Sequence, residues 1–326
     1  MLDINKAIAS MDWDKEPQGL YAPIAYTLES GGKRLRPTLA LTAAECVLNG
    51  GLLSGDVPET VLPAALALEV FHNFTLLHDD VMDRAEVRRG RPTVHARWND
   101  NTAILSGDQM LIEAYKLLAQ VPKDKVQGTL RLFNEMATGV CEGQQYDLDF
   151  EKRSEVSVGD YMMMIEKKTS VLLAYSMRIG GYIAGATEQQ QEALYRYGLH
   201  IGLAFQIQDD ILDVYGDPMT FGKAIGGDIC CNKKTILLLT ALENADAGSK
   251  AELQRWLARP VKTGHESQEK IEAVTAIYNR LHVRQKCEAV MEEHTSLALA
   301  QLDLLPQNDA TERLRDLAER LATRKS

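Results

Sequence analysis

Apolar residues recur at helical spacing along almost the whole chain, while the strict alternation of half-buried strands, bounded by Asn-Gly or Asp-Gly turns, is scarce. That pattern predicts an all-α protein. Helices are expected over about 20–30, 37–49, 58–83, 99–120, 124–148, 157–183, 188–215, 233–243, 248–258, 266–280, 281–303 and 308–323. Glycine and proline punctuate them at Gly31-Gly32, Gly50-Gly51, Gly90 with Pro92, Pro122, Gly216 with Pro218, Gly226-Gly227 and Pro260. No Ser/Gly linker or block of like charge divides the chain. Residues 1–326 therefore read as a single all-helical domain with long central helices, large enough for a sizeable core.

Two of the longest expected helices, 58–83 and 188–215, end in the same spacing, D-D-x-x-D: Asp79, Asp80 and Asp83, then Asp209, Asp210 and Asp213. A helix turns about 100° per residue, so residues i and i+4 share a face and the third aspartate lies beside them. Like charges so placed cost roughly a few tenths of a kcal/mol per pair, and carboxylates at a helix C-terminus also oppose the helix dipole. Something cationic should compensate. Carboxylates without thiolate or imidazole at ligand spacing favour hard divalent ions, and magnesium, bridging to phosphate oxygens, is the natural candidate.

Composition agrees with a globular protein, 45% hydrophobic and 25% charged. The formal charge is −10, and the two motifs hold six of the acidic residues, leaving about −4 elsewhere; this argues against nucleic-acid binding. Five cysteines, at 46, 141, 230, 231 and 287, form no C-x-x-C pair. A disulfide scaffold or zinc site is not expected, and a reducing cytoplasm is the default compartment. The first residues carry Asp3, Asp12, Asp14 and Glu16 rather than a basic run and an apolar stretch, so no signal peptide is read there. No uninterrupted apolar run approaches the ~20 residues of a membrane span, and no transmembrane segment is expected.

Basic strings accompany the aspartates. Gly31-Gly32-Lys33-Arg34-Leu35-Arg36-Pro37 precedes a helix, with Pro37 suited to its first turn. The glycines allow close backbone approach, and Lys33 and Arg36 could grip an anion near the helix start. Arg88-Arg89-Gly90-Arg91-Pro92 follows the first motif, and Lys167-Lys168-Thr169, Gly222-Lys223 and Asn232-Lys233-Lys234-Thr235 add cations beside glycine, threonine or a helix start. Fixed cations interspersed with magnesium-type carboxylates describe a diphosphate site.

Taken together, GGKRLRP (31–37), HNFTLLHDDVMDRAEVRRGRPTVH (72–95), KKTS (167–170), FQIQDDILDVYGD (205–217), FGKAIGGD (221–228) and NKKT (232–235) resemble the trans-isoprenyl diphosphate synthases of the polyprenyl synthetase family, short-chain type. The resemblance runs from about Ala22 to Leu239; the C-terminal quarter contributes no motif. It implies a helical bundle of the isoprenoid synthase type with a central cavity, and a homodimer. It also implies head-to-tail transfer of an allylic group, dimethylallyl, geranyl or farnesyl, from its diphosphate to isopentenyl diphosphate.

By position in those motifs, three Mg²⁺ ions would be held with the diphosphate by Asp79, Asp83 and Asp209 directly, with Asp80, Asp210 and Asp213 at or near the metals. Arg88, Lys168, Lys223 and Lys233 would bind the allylic diphosphate, with Asp228 as an outer support. Lys33, Arg36, His72 and Arg89 would bind isopentenyl diphosphate. The oxygens of Thr169 and Gln206 would face the developing carbocation, and Lys168 and Lys223 would assist ionisation. The homoallylic double bond then attacks the cation, and a proton is lost to the departing diphosphate. No protein base is needed, which fits the absence of a Ser/His/Asp or Cys/His pattern at these sites; apolar helix faces keep water out.

The same resemblance places the growing chain back along the helix that ends in the first motif. Phe71, Phe74 and Thr75 lie eight, five and four residues before Asp79, roughly 6 to 12 Å from the metals. A single aromatic at the fifth position, threonine at the fourth and no insertion within the motif resemble the geranylgeranyl-producing pattern more than the double-aromatic farnesyl one. A C15–C20 product is expected, with C20 favoured.

Simpler readings exist. A lone D-D-x-x-D is ordinarily a solvated acidic face, His72 a satisfied helix residue, and Phe71 and Phe74 ordinary core. Met162, Met163 and Met164 read as adaptable packing, and Cys230-Cys231 as structural. Glu69-x-x-His72 is half of a di-iron carboxylate signature, but the required second E-x-x-H is absent. A class I terpene cyclase would share the first motif but lack GGKRLRP and carry a different second motif. A non-catalytic partner subunit of a prenyl synthase would be expected to have lost ligands, and both motifs here are complete.

Overall fold

The long apolar runs become helices, several of them opened by side-chain caps. In the computed structural model, which describes residues 3–48, 57–217, 225–259, 261 and 265–323, the helices in chain order are α1 (Ile4–Ala9), α2 (Gln18–Glu29), α3 (Leu35–Val47) and α4 (Val57–Met82). A two-stranded antiparallel hairpin follows, β1 (Val87–Arg88) with β2 (Arg91–Pro92). Next come α5 (Val94–Arg97), α6 (Asp100–Leu118), α7 (Val126–Lys152) and α8 (Val158–Ile165), then a π-helical turn at Glu166–Ser170 running into α9 (Val171–Ile183), and α10 (Glu188–Tyr215). The remainder is α11 (Gly227–Cys230), α12 (Ile236–Asn244), α13 (Ala247–Leu257), α14 (His265–Arg280), α15 (Val283–Leu302) and α16 (Asp309–Thr323). The expected all-α class holds. The short α1, α5 and α11 and the hairpin are additions, and the expected helix over 157–183 is interrupted by the π turn.

Caps explain several starts. Asn99 accepts from the Thr102 amide at 2.8 Å, Asp246 from Ser249 at 2.7 Å, and Ser157 and Asp160 form a reciprocal capping box. Asn308 accepts from the Ala310 and Thr311 amides at the head of α16.

The described residues divide into two compact units. One comprises Met1–Asn134, Tyr175–Leu194 and Leu305–Thr311. Its central helix is α4, packed by α3 and α6, with α2 against α6. Ile24, Leu39, Leu68, Phe71, Met110, Leu118, Leu132 and Phe133 are among its fully buried large side chains. By length and composition Glu59–Met82 could cross a membrane, with mean hydropathy 1.4, but 61% of its apolar 18-residue window is buried inside the protein, as a core helix would be.

The other unit comprises Glu135–Ala174, Tyr195–Leu304 and Glu312–Ser326. Its core gathers Ile165, Ile207, Ile236, Leu237, Leu253, Ile277 and Val283, with Met164 buried among them and Met162 and Met163 packed at the edge. The expected packing role of the methionines is what the structure shows. Tyr197 donates to the Leu314 carbonyl at 2.6 Å and Gln208 to Leu321 at 2.5 Å, fastening α16 onto α10. All five cysteines are free thiols.

Candidate active site

The first aspartate motif closes α4. Asp83 is exposed just past the helix, Asp79 is half-buried, and Asp80 is buried. Asp80 accepts from Arg88 Nε at 2.7 Å. Burial pushes its carboxyl upward and the Arg88 guanidinium opposes that shift. Arg88 ends β1, and the two residues that turn the hairpin, Arg89 (φ 52°) and Gly90 (φ 73°), both have positive φ. That is the type I′ pattern, which normally takes Asn-Gly; an arginine at the first position is sterically disfavoured and marks a functional constraint. The turn delivers the Arg89 guanidinium to the Gly31 carbonyl.

The GGKRLRP segment is equally unusual. Gly31 (φ 76°), Gly32 (φ 137°) and Arg34 (φ 46°) all lie at positive φ. A Cβ on Gly32 would come within 3.1 Å of the Arg89 guanidinium, so glycine leaves space for that approach. Arg34 caps α3 and turns inward, 7% exposed, donating to Glu69 Oε1 at 2.6 Å and to the Leu28 carbonyl at 2.5 Å. Lys33 is exposed and Arg36 half-buried. Burial lowers Arg36 to about 10, with Glu69 opposing and Arg89 reinforcing the shift. His72 is held neutral: burial first, then Arg36, Arg89, Arg88 and Arg34, depress its imidazole well below the usual range. Four arginines thus surround one neutral histidine, with the Glu69 carboxylate countering part of their charge.

Behind the motif, an aromatic row runs through the same unit. Phe74 meets His78 (centroids 4.7 Å apart) and Phe71 (5.5 Å); Phe71 meets Phe133 edge-on (5.2 Å), and Phe133 meets Tyr115 (5.3 Å). Phe71 is 1% exposed and Thr75 half-buried, its hydroxyl donating to the His72 carbonyl at 2.8 Å.

The second motif closes α10 in the other unit. Asp209 and Asp213 are half-buried and Asp210 is buried. Asp210 accepts from the Tyr161 hydroxyl, from Gln206 Nε2 at 3.1 Å and from the Ile236 amide at 3.4 Å. Burial raises its carboxyl to about 7; Tyr161, Lys233 and Gln206 oppose the rise and Asp228 adds to it. Gln206 Oε1 in turn accepts from Thr169 at 3.2 Å, so Thr169, Gln206, Asp210 and Tyr161 form one chain. Asp213 accepts from the Asp228 amide at 3.1 Å, and Lys233 lies 3.8 Å from the Asp228 carboxylate.

Lys168 and Thr169 sit in the π turn, a feature concentrated at functional sites. Two glycines admit it: a Cβ on Gly143 would fall 2.2 Å from the Lys168 backbone nitrogen, and one on Gly202 would fall 2.6 Å from Ser170 Cα. Lys168 pairs with Asp147 at 2.5 Å, and Lys167 with Glu142 at 2.5 Å. The lysines of NKKT divide their work. Lys233 stays beside Asp228, whereas Lys234 donates to the carbonyls of Phe150 and Arg153 and so caps α7.

The structure thus brings Arg36, His72, Arg88 and Arg89 together in one unit, and Thr169, Gln206 and Asp210 in the other. Lys223 lies outside the described residues. Among those residues no three His, Cys, Asp or Glu side chains form a ready-made metal cage. The oxygen-only donors at the ends of α4 and α10 still fit magnesium, which takes one or two carboxylates and completes its shell with water and phosphate oxygens. Sequence reasoning passed over Arg34, Glu69 and Asn73 beneath the GGKRLRP turn, and Asp147 and Tyr161 beside the second motif. Glu69 was visible only as half of an E-x-x-H; Arg34 and Asn73 lie inside the quoted motifs without a role assigned to them, and Asp147 and Tyr161 carried no spacing signal.

Comparison with known proteins adds a separate finding. The polyprenyl synthetase family profile matches residues 17–278. The geranylgeranyl diphosphate synthase of Methanosarcina mazei is 42% identical over 229 residues, 70% of this chain and 68% of that protein. The geranylfarnesyl diphosphate synthase of Natronomonas pharaonis is 36% identical over 333 residues, 98% of this chain and 94% of that one. A crystal structure of a geranylgeranyl pyrophosphate synthase superposes with a TM-score of 0.90 at 42% identity, covering 100% of both chains.

Proposed function

The chain belongs to the polyprenyl synthetase family, and from that premise we propose that it condenses isopentenyl diphosphate head-to-tail with an allylic diphosphate in a magnesium-dependent reaction. It is a transferase of prenyl groups making a short-chain diphosphate. The observation that carries the proposal is that basic side chains accompany each aspartate motif: Arg88 pairs with Asp80, while Asp210 joins a hydrogen-bonded chain through Gln206 to Thr169, whose neighbour Lys168 pairs with Asp147, and Lys233 lies beside Asp228, which donates its amide to Asp213.

The inner aspartates, Asp80 and Asp210, are buried and braced by protein donors. Asp79, Asp83, Asp209 and Asp213 are the carboxylates that would hold magnesium. When bound, the metal supplies positive charge against the leaving diphosphate. Arg88, Lys168, Lys233 and, from the sequence, Lys223 neutralise the allylic diphosphate. Lys168 would exchange Asp147 for a phosphate oxygen, a charge-assisted contact of the same kind. Lys33, Arg36, His72 and Arg89 bind isopentenyl diphosphate; neutral His72 can donate a hydrogen bond without adding to the repulsion among the arginines. The Thr169 and Gln206 oxygens face the carbocation. The departing diphosphate takes the proton, so no protein base is invoked.

We assign an all-trans product of C15–C20, favouring C20. Support comes from the buried Phe71 backed by Phe133 behind Phe74. A relative named for a product one isoprene unit longer matches nearly the whole chain at 36% identity, so overall similarity is a poorer guide than this aromatic floor. The exposed apolar face of α6, Ile104, Leu105, Ile112 and Tyr115, supports a homodimer, and residues 1–326 are taken as one catalytic domain.

The test is incubation of the purified protein with magnesium, isopentenyl diphosphate and each of the C5, C10 and C15 allylic diphosphates, with chromatography of the products. Incorporation abolished by chelation and restored by magnesium is expected. No turnover with any primer would refute the assignment and favour a non-catalytic subunit.

A further inference from the structure

Glu69 is an acidic residue set beneath a cluster of arginines, and the reaction gives it no part. It is 2% exposed on α4, one turn before His72 and Asn73. Its Oε1 accepts from Arg34 at 2.6 Å and from Asn73 Nδ2 at 3.1 Å, while Asn73 also holds the Glu69 carbonyl at 2.8 Å and is itself fully buried. Its other oxygen, Oε2, is buried without a protein partner, as are Arg34 Nε, Arg36 Nε and Asn73 Oδ1. Four such atoms in one cluster mark a polar core built around this carboxylate, since buried polar groups are otherwise satisfied.

Arg34 is where that core meets the surface. It holds a left-handed conformation that L-residues avoid. Both ends of its guanidinium are anchored, one on Glu69 and one on Leu28. Lys33 precedes it and Arg36 follows two residues later, so the Arg34 backbone angle sets where both cations project. Gly31, in the same turn, receives Arg89 from the hairpin.

We propose that Glu69 is a positioning residue for the isopentenyl diphosphate site, acting through Arg34 to hold the GGKRLRP turn in the conformation that aims Lys33 and Arg36. This rests on the assignment of those residues to isopentenyl diphosphate made above. The Coulombic influence of Glu69 on Arg36 and Arg89 accords with its central place. The E-x-x-H spacing then has a use without iron: Glu69 secures the turn and His72, one helical turn on, faces the anion.

Sign separates this role from a purely electrostatic one. Neutralising a carboxylate among arginines raises the local positive potential and, were potential all that mattered, would tighten diphosphate binding. Positioning requires the opposite. The experiment is steady-state kinetics on Glu69→Gln, with KM for isopentenyl diphosphate and for the allylic diphosphate measured separately, alongside the thermal transition. Expected is a rise of about tenfold or more in KM for isopentenyl diphosphate, with the allylic KM within about twofold of wild type.

Should Glu69→Gln fail to fold, the double variant Arg34→Met with Glu69→Met decides. Replacing both members of a buried pair by apolar residues of similar volume commonly preserves folding, and the same selective loss is expected because the turn has lost its anchor. An unchanged or lowered KM for isopentenyl diphosphate, or an equal change in both KM values, in the folded variant overturns the proposal. Wild-type turnover separates the two readings. If the wild type condenses the substrates and the variant shows no selective defect, only the role of Glu69 falls; if the wild type is inert, the assignment falls first and takes this role with it.

Discussion

Gly143→Ala is the sharpest single-atom probe of the π turn that carries Lys168 and Thr169. The added methyl carbon would sit 2.2 Å from the Lys168 nitrogen and 2.6 Å from both the Lys167 carbonyl carbon and Lys168 Cα. Ordinary carbon contacts begin near ~3.5 Å, so the π turn must retreat by about 1.3 Å. The atoms in the way are backbone, and no rotamer change relieves them. Overpacking of this kind costs about 1–3 kcal/mol, partly offset by about 1 kcal/mol of helix propensity gained on replacing glycine.

The larger consequence is positional. The retreat carries with it Lys168, now 2.5 Å from Asp147, and Thr169, now 3.2 Å from Gln206. A misplacement of about 1 Å can cost roughly a hundredfold in rate. Steady-state kinetics should therefore show kcat down by about two orders of magnitude and a raised KM for the allylic substrate, with a thermal transition lower by only a few degrees. Gly139→Ala is the control on the same helix. Its methyl would meet the Val171 side chain at 3.1 Å, a contact that a small shift relieves, and activity should stay within about threefold. A Gly143→Ala enzyme with wild-type kcat and allylic KM would show that the π turn is not what positions Lys168 and Thr169.

Replacing Phe71 and Phe74 together by Ala should shift chromatographed products toward longer chains and cost about 3–5 kcal/mol for the buried Phe71; unchanged product length would remove these rings from the ruler. Tyr161→Phe removes a hydroxyl that favours the ionised form of Asp210, whose carboxyl stands at about 7, so the acid limb of kcat/KM should move to higher pH; an unmoved limb would detach Asp210 ionisation from turnover. His200 and His294 lie with Nδ1 atoms 3.0 Å apart, and burial, then its neighbour, lowers His200 to about 4. Its folded value lies below the ordinary 6.5 or so, so stability is full above about pH 6.5 and lost as pH falls toward 4. Screening in this half-exposed pair limits the loss to about 1 kcal/mol, and denaturant titrations of His200→Gln should show a weaker decline over that window than wild type.

What could be read from the sequence was whatever depends on side-chain identity at fixed helical spacing. The aspartate triplets, the basic strings and the helices that carry them obey a local rule, and α4 and α10 end where the apolar runs and the glycines say they should. What escaped depends on backbone states that identity does not announce. Arg34 and Arg89 occupy left-handed conformations normally left to glycine or asparagine, so Gly90 and Pro92 marked a break after the first motif without announcing the hairpin at Val87–Pro92. The π turn lies inside a sequence with ordinary helical periodicity, and its cause is remote: Gly143 and Gly202, tens of residues away in the chain, are small enough to admit it. The braces Tyr161, Asp147 and Glu69 stand far in sequence from, or beside no recognisable spacing with, the groups they hold. The division has a physical basis. A residue that acts on substrate must present a particular functional group and so leaves a motif, whereas a residue that fixes the geometry needs only to reach its partner in the folded chain. The kinetic penalties expected for Gly143→Ala and Glu69→Gln, neither a contact of the reacting atoms, measure how much of the catalytic work rests on that second, sequence-silent class.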